Sequence, residues 1–149
     1  MIWDRTITPQ TLTCIVSFNA LRCAKVVLEG MASELCGMHA NPNCINNYGF
    51  FPLHEAAERF SDDMIKLLLR HGASPNVRTV GNDIIENLLP LHDAVENTCL
   101  HNYLEDNLEE NLSRSQNHLE YIYKLIHLLC LPEMVCFTSL PIRITTFAA

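Results

Sequence analysis

Cysteine and histidine are the side chains best suited to chemistry in this sequence, which contains seven of each. Cys36, His39 and Cys44 lie close together and are possible zinc ligands. Structural zinc sites take four such ligands in a tetrahedron, and no fourth ligand is evident nearby. We therefore expect no bound metal, and a cysteine-based metal or redox sensor is kept as an alternative.

A second possible pair consists of His127 and Cys130, which lie three positions apart on a predicted helix. We interpret this pair as core packing. A catalytic cysteine would also need a base, an orienting group and an oxyanion pocket. Glycine-rich loops and strand-turn-helix contexts are missing around every cysteine, and the five glycines form no phosphate-binding motif. The sequence thus predicts a protein that is not an enzyme and binds no cofactor.

Composition narrows the class of protein further. A chain of 149 residues that is 48% hydrophobic suits one domain. Its formal charge of −7 disfavours nucleic acid as a partner, because such binding relies on lysine and arginine. Lys124 and Glu133 interrupt the most apolar window, so we expect no membrane span. An odd number of irregularly spaced cysteines and a start without secretory-signal features favour the reducing cytosol or nucleus.

Two blocks of the sequence repeat at long spacing. Ala40, Pro42 and Asn43 recur as Ala73, Pro75 and Asn76, 33 positions later in each case. Residues 51–57 recur in character as residues 89–95, at a spacing of 38. A period of 33 is that of the ankyrin repeat, in which each unit is a pair of helices. The extra five residues of the second spacing then belong to a loop.

The elements within one repeat follow from local signals. Pro52 is suited to the first turn of a helix, Ser61 to the N-cap of the next, and Gly72 to the left-handed residue that ends it. Each helix has one apolar face, so the pairs must stack. We predict an all-α fold, a short solenoid of about three degenerate helix-turn-helix repeats with loop insertions. It comprises residues 1–132, with repeats at 8–40, 41–73 and 74–131, an insert at 99–116 and an irregular apolar tail at 133–149.

The first repeat is the most divergent. Pro9 aligns with Pro52 at a spacing of 43, which implies ten extra residues, and we expect them in the segment 31–39. In this alignment Gln10 and Thr11 replace the leucine and histidine that follow the proline in the second repeat.

The repeated blocks resemble the ankyrin family, and the resemblance implies structural roles for individual residues. Histidine would join the first helix to neighbouring backbone, alanine would allow close packing and glycine would end the second helix. The family has threonine where this chain has Phe51 and Leu89, so one hydroxyl partner of each histidine is missing. The long insert and the run 121–129 also resemble uncharacterised plant ankyrin proteins. The motif residues are Pro52, Leu53, His54, Ala56, Ala57, Gly72, Ala73, Asn76, Pro90, Leu91, His92 and Ala94.

The resemblance implies binding of another protein through loop tips and helix faces. Loop tips suit this task because a rigid scaffold fixes them. The partner's identity stays open, and we expect neither nucleic acid nor membrane. One alternative is a fragment of a larger ankyrin array whose function lies in missing repeats. The candidate binding residues are Asn46, Asn47, Tyr48, Phe50, Gly81, Asn82 and Asp83.

The C-terminal end of the chain is rich in apolar residues, which bears on its stability and association. Few charges accompany the apolar residues of the tail, and no further repeat motif follows to cover the last helix. An uncovered repeat face is an association surface, so we expect marginal stability, self-association through this end and a tail without a defined position. Sedimentation velocity over a range of concentrations measures the association. A monodisperse monomer whose tail amides resist hydrogen exchange would contradict this expectation.

Overall fold

The computed structural model describes residues 7–81, 85–97 and 114–130, and the described part is helical without strands. This arrangement confirms the expected all-α solenoid. None of the described helices has the length and hydrophobicity needed to cross a bilayer. The helices are α1 (Pro9–Ser17), α2 (Leu21–Leu28), α3 (Pro52–Glu58), α4 (Asp62–Arg70), α5 (Pro90–Asn97) and α6 (Arg114–Leu129), with a short 3₁₀ turn at Ser33–Leu35.

Helix boundaries follow the capping residues. Thr8 and Ser61 accept hydrogen bonds from the Thr11 and Met64 amides, at 3.2 and 3.4 Å, and so cap α1 and α4. Proline opens α1, α3 and α5, where its missing amide hydrogen costs nothing. After α4, Gly72 adopts a φ of 88°, the left-handed conformation that a glycine accepts without steric cost.

The first repeat differs in register from the prediction. Asn19 and Phe60, both in the left-handed region, hold the same position between their helices, with φ values of 50° and 52°. Their amides donate to the carbonyls of Val16 and Ala57. The true spacing is therefore 41, from 19 to 60, rather than 43. The alignment of Pro9 with Pro52 was wrong because α1 is two residues longer than α3, so its proline lies two positions further from the left-handed residue that follows the helix.

The corrected register changes which residues are equivalent. Leu12 now corresponds to Leu53, and both are almost fully buried. Thr13 takes the place of His54 and donates its hydroxyl to the Pro9 carbonyl at 2.7 Å. The residues inserted into the first repeat lie between Gly30 and Ala40, in the segment that the sequence indicated.

The second repeat is the centre of the core. Helix α3 packs against α1 on one side and α5 on the other, while α4 packs beneath it and contacts α2 and α6. Ala56 and Ala57 have no exposed surface, which shows how closely α3 approaches its neighbours. The large, fully buried side chains of this core include Leu12, Leu53, Phe60, Met64, Ile65, Leu68, Leu125 and Leu129.

Polar contacts join the turn before the second repeat to the end of that repeat. The side-chain amide of Asn43 donates to the Gly72 carbonyl at 2.8 Å, and its oxygen accepts from the Ser74 amide at 2.8 Å. This bridge uses the glycine-alanine turn that the sequence repeats. Asn43 therefore spans one full repeat, which is a role that its spacing alone did not reveal.

Helix α6 is the second helix of the third repeat. It begins at Arg114, so its first residues belong to the stretch assigned to the insert, and the remainder of 99–116 lies outside the described residues, as does the tail 133–149. Tyr121 anchors α6: its hydroxyl donates to the Phe60 carbonyl and accepts from the Asp62 amide at 3.4 Å. These contacts fix α6 to the turn between α3 and α4.

Tyr121 supplies a test of this anchoring. Tyr121→Phe leaves the Phe60 carbonyl without its hydroxyl donor, so we expect the free energy of unfolding to fall by about 1–2 kcal/mol. Tyr123→Phe is the matched control because its side chain is 70% exposed. Urea denaturation followed by circular dichroism measures both variants. Equal stability of the two would show that the hydroxyl contacts do not hold α6.

Candidate functional site

The first loop, residues 41–51, is closed by Asn46. Its side-chain oxygen accepts hydrogen bonds from the amides of Tyr48 and Phe50, at 2.9 and 3.0 Å. The backbone amide of Asn46 donates to the Phe50 carbonyl at 2.9 Å. Asn46 is only 8% exposed, so its assignment as a partner-binding residue is corrected: it shapes the loop that carries the exposed residues.

Asn47 and Tyr48 form the exposed tip of the first loop. Tyr48 is 76% exposed, and Asn47 is exposed beside it. The backbone carbonyl of Gly49 accepts a hydrogen bond from the Val80 amide at 3.0 Å, which ties this tip to the second loop. A Cβ atom at Gly49 would lie 1.7 Å from the Val80 carbonyl oxygen. Glycine at this position is therefore a requirement of the loop-to-loop contact.

The second loop, residues 77–89, is organised by the buried Thr79. Its hydroxyl donates to the Ile85 carbonyl and accepts from the Leu88 amide at 2.9 Å. The Thr79 backbone amide donates to the Leu88 carbonyl, and the Thr79 carbonyl accepts from the Asn87 amide, both at 2.9 Å. These bonds hold the described ends of the loop together. Val80 and Gly81 are exposed at its tip, and Val80 is 62% exposed.

The second loop also borders an open groove of about 650 Å³. One wall contains Arg78, whose guanidinium donates to the Asn87 carbonyl at 3.0 Å. Glu86 on the same rim is exposed. A groove with charged walls next to an exposed aromatic tip is suited to contact with a polypeptide.

His54 connects the two repeats beneath these tips. Its Nε2 donates to the Leu88 carbonyl at 2.9 Å, and burial lowers the pKa of the imidazole to about 4. The ring is therefore neutral, and its Nδ1 is a buried acceptor without a partner. Phe51 stands where the ankyrin family has threonine, which accounts for the missing donor. His92 instead accepts from the Leu89 amide at 2.9 Å through Nδ1.

Phe50 packs inward rather than lying at the tip. Its ring contacts the imidazole of His54 edge-on, with centroids 6.1 Å apart, and the side chain is half-buried. Of the two aromatic candidates, only Tyr48 is fully available to a partner. Phe50 instead links the loop to the first helix of the second repeat.

Four carboxylates of differing burial lie at equivalent positions of α3 and α5. Glu55 accepts a hydrogen bond from the Ser17 hydroxyl at 2.6 Å. Glu58 is half-buried, and burial together with the Glu55 charge raises its pKa. Glu96 is exposed on α5.

Asp93 is the most buried member of this acidic group, being 8% exposed. Burial, followed by repulsion from Glu58, Glu96 and Glu55, raises the pKa of its carboxyl to about 7. Its Oδ2 atom has no hydrogen-bond partner. A buried carboxylate in this state is costly for the fold.

Two of the possible zinc ligands have other surroundings, a backbone hydrogen bond for His39 and partial burial for Cys44. His39 Nδ1 lies 3.0 Å from the Leu28 carbonyl, and Cys44 is half-buried with a pKa raised by burial. No cluster of three or more metal-binding side chains occurs within the described residues.

His127 is exposed, so its assignment to core packing was wrong. It borders an apolar groove together with Lys66, Lys124 and Leu128.

The structure brings some candidate binding residues together and separates others. Asn47, Tyr48 and Gly81 lie on two loop tips joined at Gly49 and Val80. Asn82 and Asp83 lie outside the described residues. The acidic group on α3 and α5 was not among the residues predicted from the sequence. Its signal was the repeat spacing itself, because Glu55 and Asp93, and likewise Glu58 and Glu96, are 38 positions apart.

Most of the repeat-motif residues lie where the helices pack against one another. His54 and Asn43 make the repeat-to-repeat hydrogen bonds given above, whereas the Asn76 amide donates to the Ser74 hydroxyl at 3.3 Å. Buried motif residues are Pro52, Leu53, Ala56, Ala57, Ala73, Pro90 and Ala94, while Leu91 packs half-buried against the same core.

Asp93 predicts a pH dependence of stability. Above pH 7 the native state carries a buried charge, so Asp93→Asn should raise the free energy of unfolding at pH 8 by on the order of 2 kcal/mol. As pH falls, native Asp93 binds a proton while the unfolded chain stays ionised down to about 3.8, and the advantage of the variant should shrink.

Denaturation of both proteins at pH 8, 7 and 6 measures this difference. His54 becomes less favourable as pH falls below 6.5, but it is present in both proteins and cancels. Asp63→Asn, at an exposed acid of α4, is the control for net charge. A difference between wild type and Asp93→Asn that does not change with pH would contradict the expectation.

Comparisons with known proteins agree with this geometry. A family model described as ankyrin repeats in three copies matches residues 12–113, more than half of the chain. "Regulatory protein NPR5" of Arabidopsis thaliana is 64% identical over 33 residues, and "BTB/POZ domain and ankyrin repeat-containing protein NBCL" of Lupinus angustifolius is 62% identical over 34 residues.

These relatives are much longer than the matched segment. It covers 22% of this chain and 7% of the Arabidopsis protein, and 23% and 7% respectively for the lupin protein. The family assignment therefore rests on the three-repeat model, the stacked helix pairs and the loops between them. On this basis the chain belongs to the ankyrin-repeat family.

Proposed function

We propose that this chain recognises another protein through the two joined loop tips. We call this area the loop-tip surface and define it by Asn47, Tyr48, Val80 and Gly81. The observation that carries the proposal is the exposure of Tyr48 and Val80, at 76% and 62%, on adjacent loops. Exposed apolar side chains that are grouped on adjacent loops, rather than scattered singly, are typical of interaction sites.

The backbone beneath the loop-tip surface supports this proposal. Asn46 and Thr79 each satisfy several groups of their own loop, and the Gly49–Val80 hydrogen bond joins the two loops. A surface that is ordered before binding loses less conformational entropy when the partner docks. Tyr48 adds a rigid aromatic ring, the kind of side chain that dominates binding energy at interfaces.

The class of partner follows from the family and from charge. Ankyrin repeats are generally non-catalytic domains that bind proteins. For this chain we propose a protein partner rather than nucleic acid or a membrane surface, since the formal charge of −7 repels phosphate. We propose no catalytic role and no cofactor.

The compartment is a further part of the proposal. Cys14 and Cys23 are exposed thiols without a disulfide. Exposed thiols persist where the surroundings are reducing, which supports the cytosol or the nucleus. Microscopy of a fluorescent fusion at native expression distinguishes these compartments from the secretory route.

A second candidate is an interaction module of a longer regulatory protein. It is favoured by the 62–64% identity to short segments of proteins named as regulatory or as carrying a BTB/POZ domain. In this case the loop-tip surface would have the same task, while another domain would supply the response. Sequencing of the full-length transcript separates the two candidates.

The proposal is tested by comparing two exposed tyrosines. After affinity capture with the full chain has identified a partner, we expect Tyr48→Ala to weaken its binding about ten- to thirtyfold, as for an interface hot spot. Tyr123→Ala removes a similarly exposed ring from α6 and should leave the affinity within about twofold. Surface plasmon resonance with purified partner measures both.

Two checks make the comparison decisive. Circular dichroism shows whether both variants keep the wild-type fold, as expected for residues with little buried surface. If Tyr48→Ala binds like wild type while Tyr123→Ala does not, the interface lies on α6 instead. If capture returns only further copies of this chain, the self-association predicted from the C-terminal end is the interaction, and recognition of another protein is refuted.

A further inference from the structure

Four carboxylates occupy matching positions on α3 and α5. Glu55 and Glu58 lie on α3, and Asp93 and Glu96 hold the equivalent positions on α5, which packs directly against α3. We call this group the acidic trough. Their exposure differs: Asp93 is buried, Glu55 and Glu58 are half-buried and Glu96 is exposed. We call Asp93, the most buried, the floor of the trough, and Glu58 and Glu96 its rim.

One carboxylate oxygen of the floor residue, Oδ2, has no hydrogen-bond partner. Glu55, its counterpart on α3, accepts from the Ser17 hydroxyl at 2.6 Å. Asp93 Oδ2 accepts from nothing, although the residue is only 8% exposed. Buried polar atoms are normally satisfied, and one that is not needs an explanation, such as strain, a catalytic role or a group that binds there. Core packing gives no reason for a carboxylate at this position.

Within the described residues, the cations on the neighbouring helices act on other carboxylates. Arg59 follows α3 and partly offsets the raised pKa of Glu58. On the second helices, Lys66 pairs with Asp62 at 2.6 Å and Lys124 with Glu120 at 3.7 Å. The charges that act on Asp93 are those of Glu58, Glu96 and Glu55, all negative.

We propose that the acidic trough receives a lysine or arginine side chain of the protein partner, with Asp93 as its principal hydrogen-bond acceptor. This inference rests on the proposed function, since it names the chemistry of the partner segment that contacts the first helices. Positive charge complements the four carboxylates, and the long aliphatic stem of a lysine or arginine would let its cationic group approach the Asp93 carboxylate while the rim glutamates stay in water. Specificity for a basic side chain follows because an apolar one would leave Asp93 unsatisfied.

The proposed contact has a definite dependence on pH. Asp93 must be ionised to accept a cation, and its pKa in the free protein is raised to about 7 by burial and by the three neighbouring glutamates. Affinity should therefore rise between pH 6 and pH 8. It should also fall with added salt, since the attraction is electrostatic.

A random peptide library displayed on phage tests the inference without a known partner. The full chain is the bait at pH 8 and low salt, and Asp93→Asn protein removes binders that ignore the floor. We expect the enriched peptides to share a lysine or arginine. A synthetic peptide of this kind should lose about ten- to hundredfold in affinity on Asp93→Asn, as for a lost charged hydrogen bond.

Matched variants separate the trough from general charge effects. Asp63→Asn removes one exposed negative charge from α4 and should change the affinity less than twofold. Glu96→Gln, at the exposed rim, provides a second test if Asp93→Asn fails to fold, and should cost about three- to tenfold. Replacing the basic residue of the peptide by norleucine should remove the effect of Asp93→Asn, because the two changes break the same contact.

The outcomes are distinct for the two proposals. Peptides that bind the loop tips, depend on Tyr48 and lack a shared basic residue would overturn the trough inference and leave the proposed function standing. Failure to obtain any binder, with Tyr48→Ala also harmless to partner binding, would refute both. Calorimetry with CaCl₂ covers a metal site: heat of binding that disappears in Asp93→Asn would assign the trough to a cation and overturn the basic-peptide inference.

Discussion

The rest of this structure depends on the burial of α3 between α1 and α5. Neither a helix nor a helix pair of this length can cover its own apolar face, so each repeat is stable only against its neighbours. Ala56 and Ala57, with no exposed surface, permit the close approach, and Leu53 fills the space beside them. Because α3 is fixed in this way, the loop before it and the acidic side chains along it hold fixed positions as well.

Hydrogen bonds transmit this order from the helices to the loops. His54 reaches from α3 to the Leu88 carbonyl, and Leu88 in turn contacts Thr79, which shapes the second loop. Asn43 performs a similar task at the glycine-alanine turn. The exposed residues Tyr48 and Val80 are therefore carried by backbone that the core has already positioned. The same scaffold keeps Asp93 in an unfavourable environment, which a loosely packed helix would relieve by exposing it.

Local signals predicted most of the second repeat and less of the others. Pro52, Ser61 and Gly72 mark helix ends because their effects depend on the backbone of a few adjacent residues. In the first repeat, Pro9 pointed to the wrong register, since a proline marks a first turn without fixing how many residues follow before the left-handed Asn19. The insertion at 31–39 was recognisable because the alanine-proline-asparagine turn after it is intact.

The sequence by itself determined the repeat architecture, the composition of the core and the acidic net charge, since these depend on periodicity, capping and residue counts. Tertiary structure decided which exposed-looking residues are available. Asn46 is polar but turned inward, Phe50 rests on His54, and Tyr48 alone of these is open to solvent. It also brought Asp93 beside Glu55 and Glu58, although 38 residues separate the equivalent positions. Side-chain burial and charge proximity are properties of packed helices, so they arise only when neighbouring repeats meet.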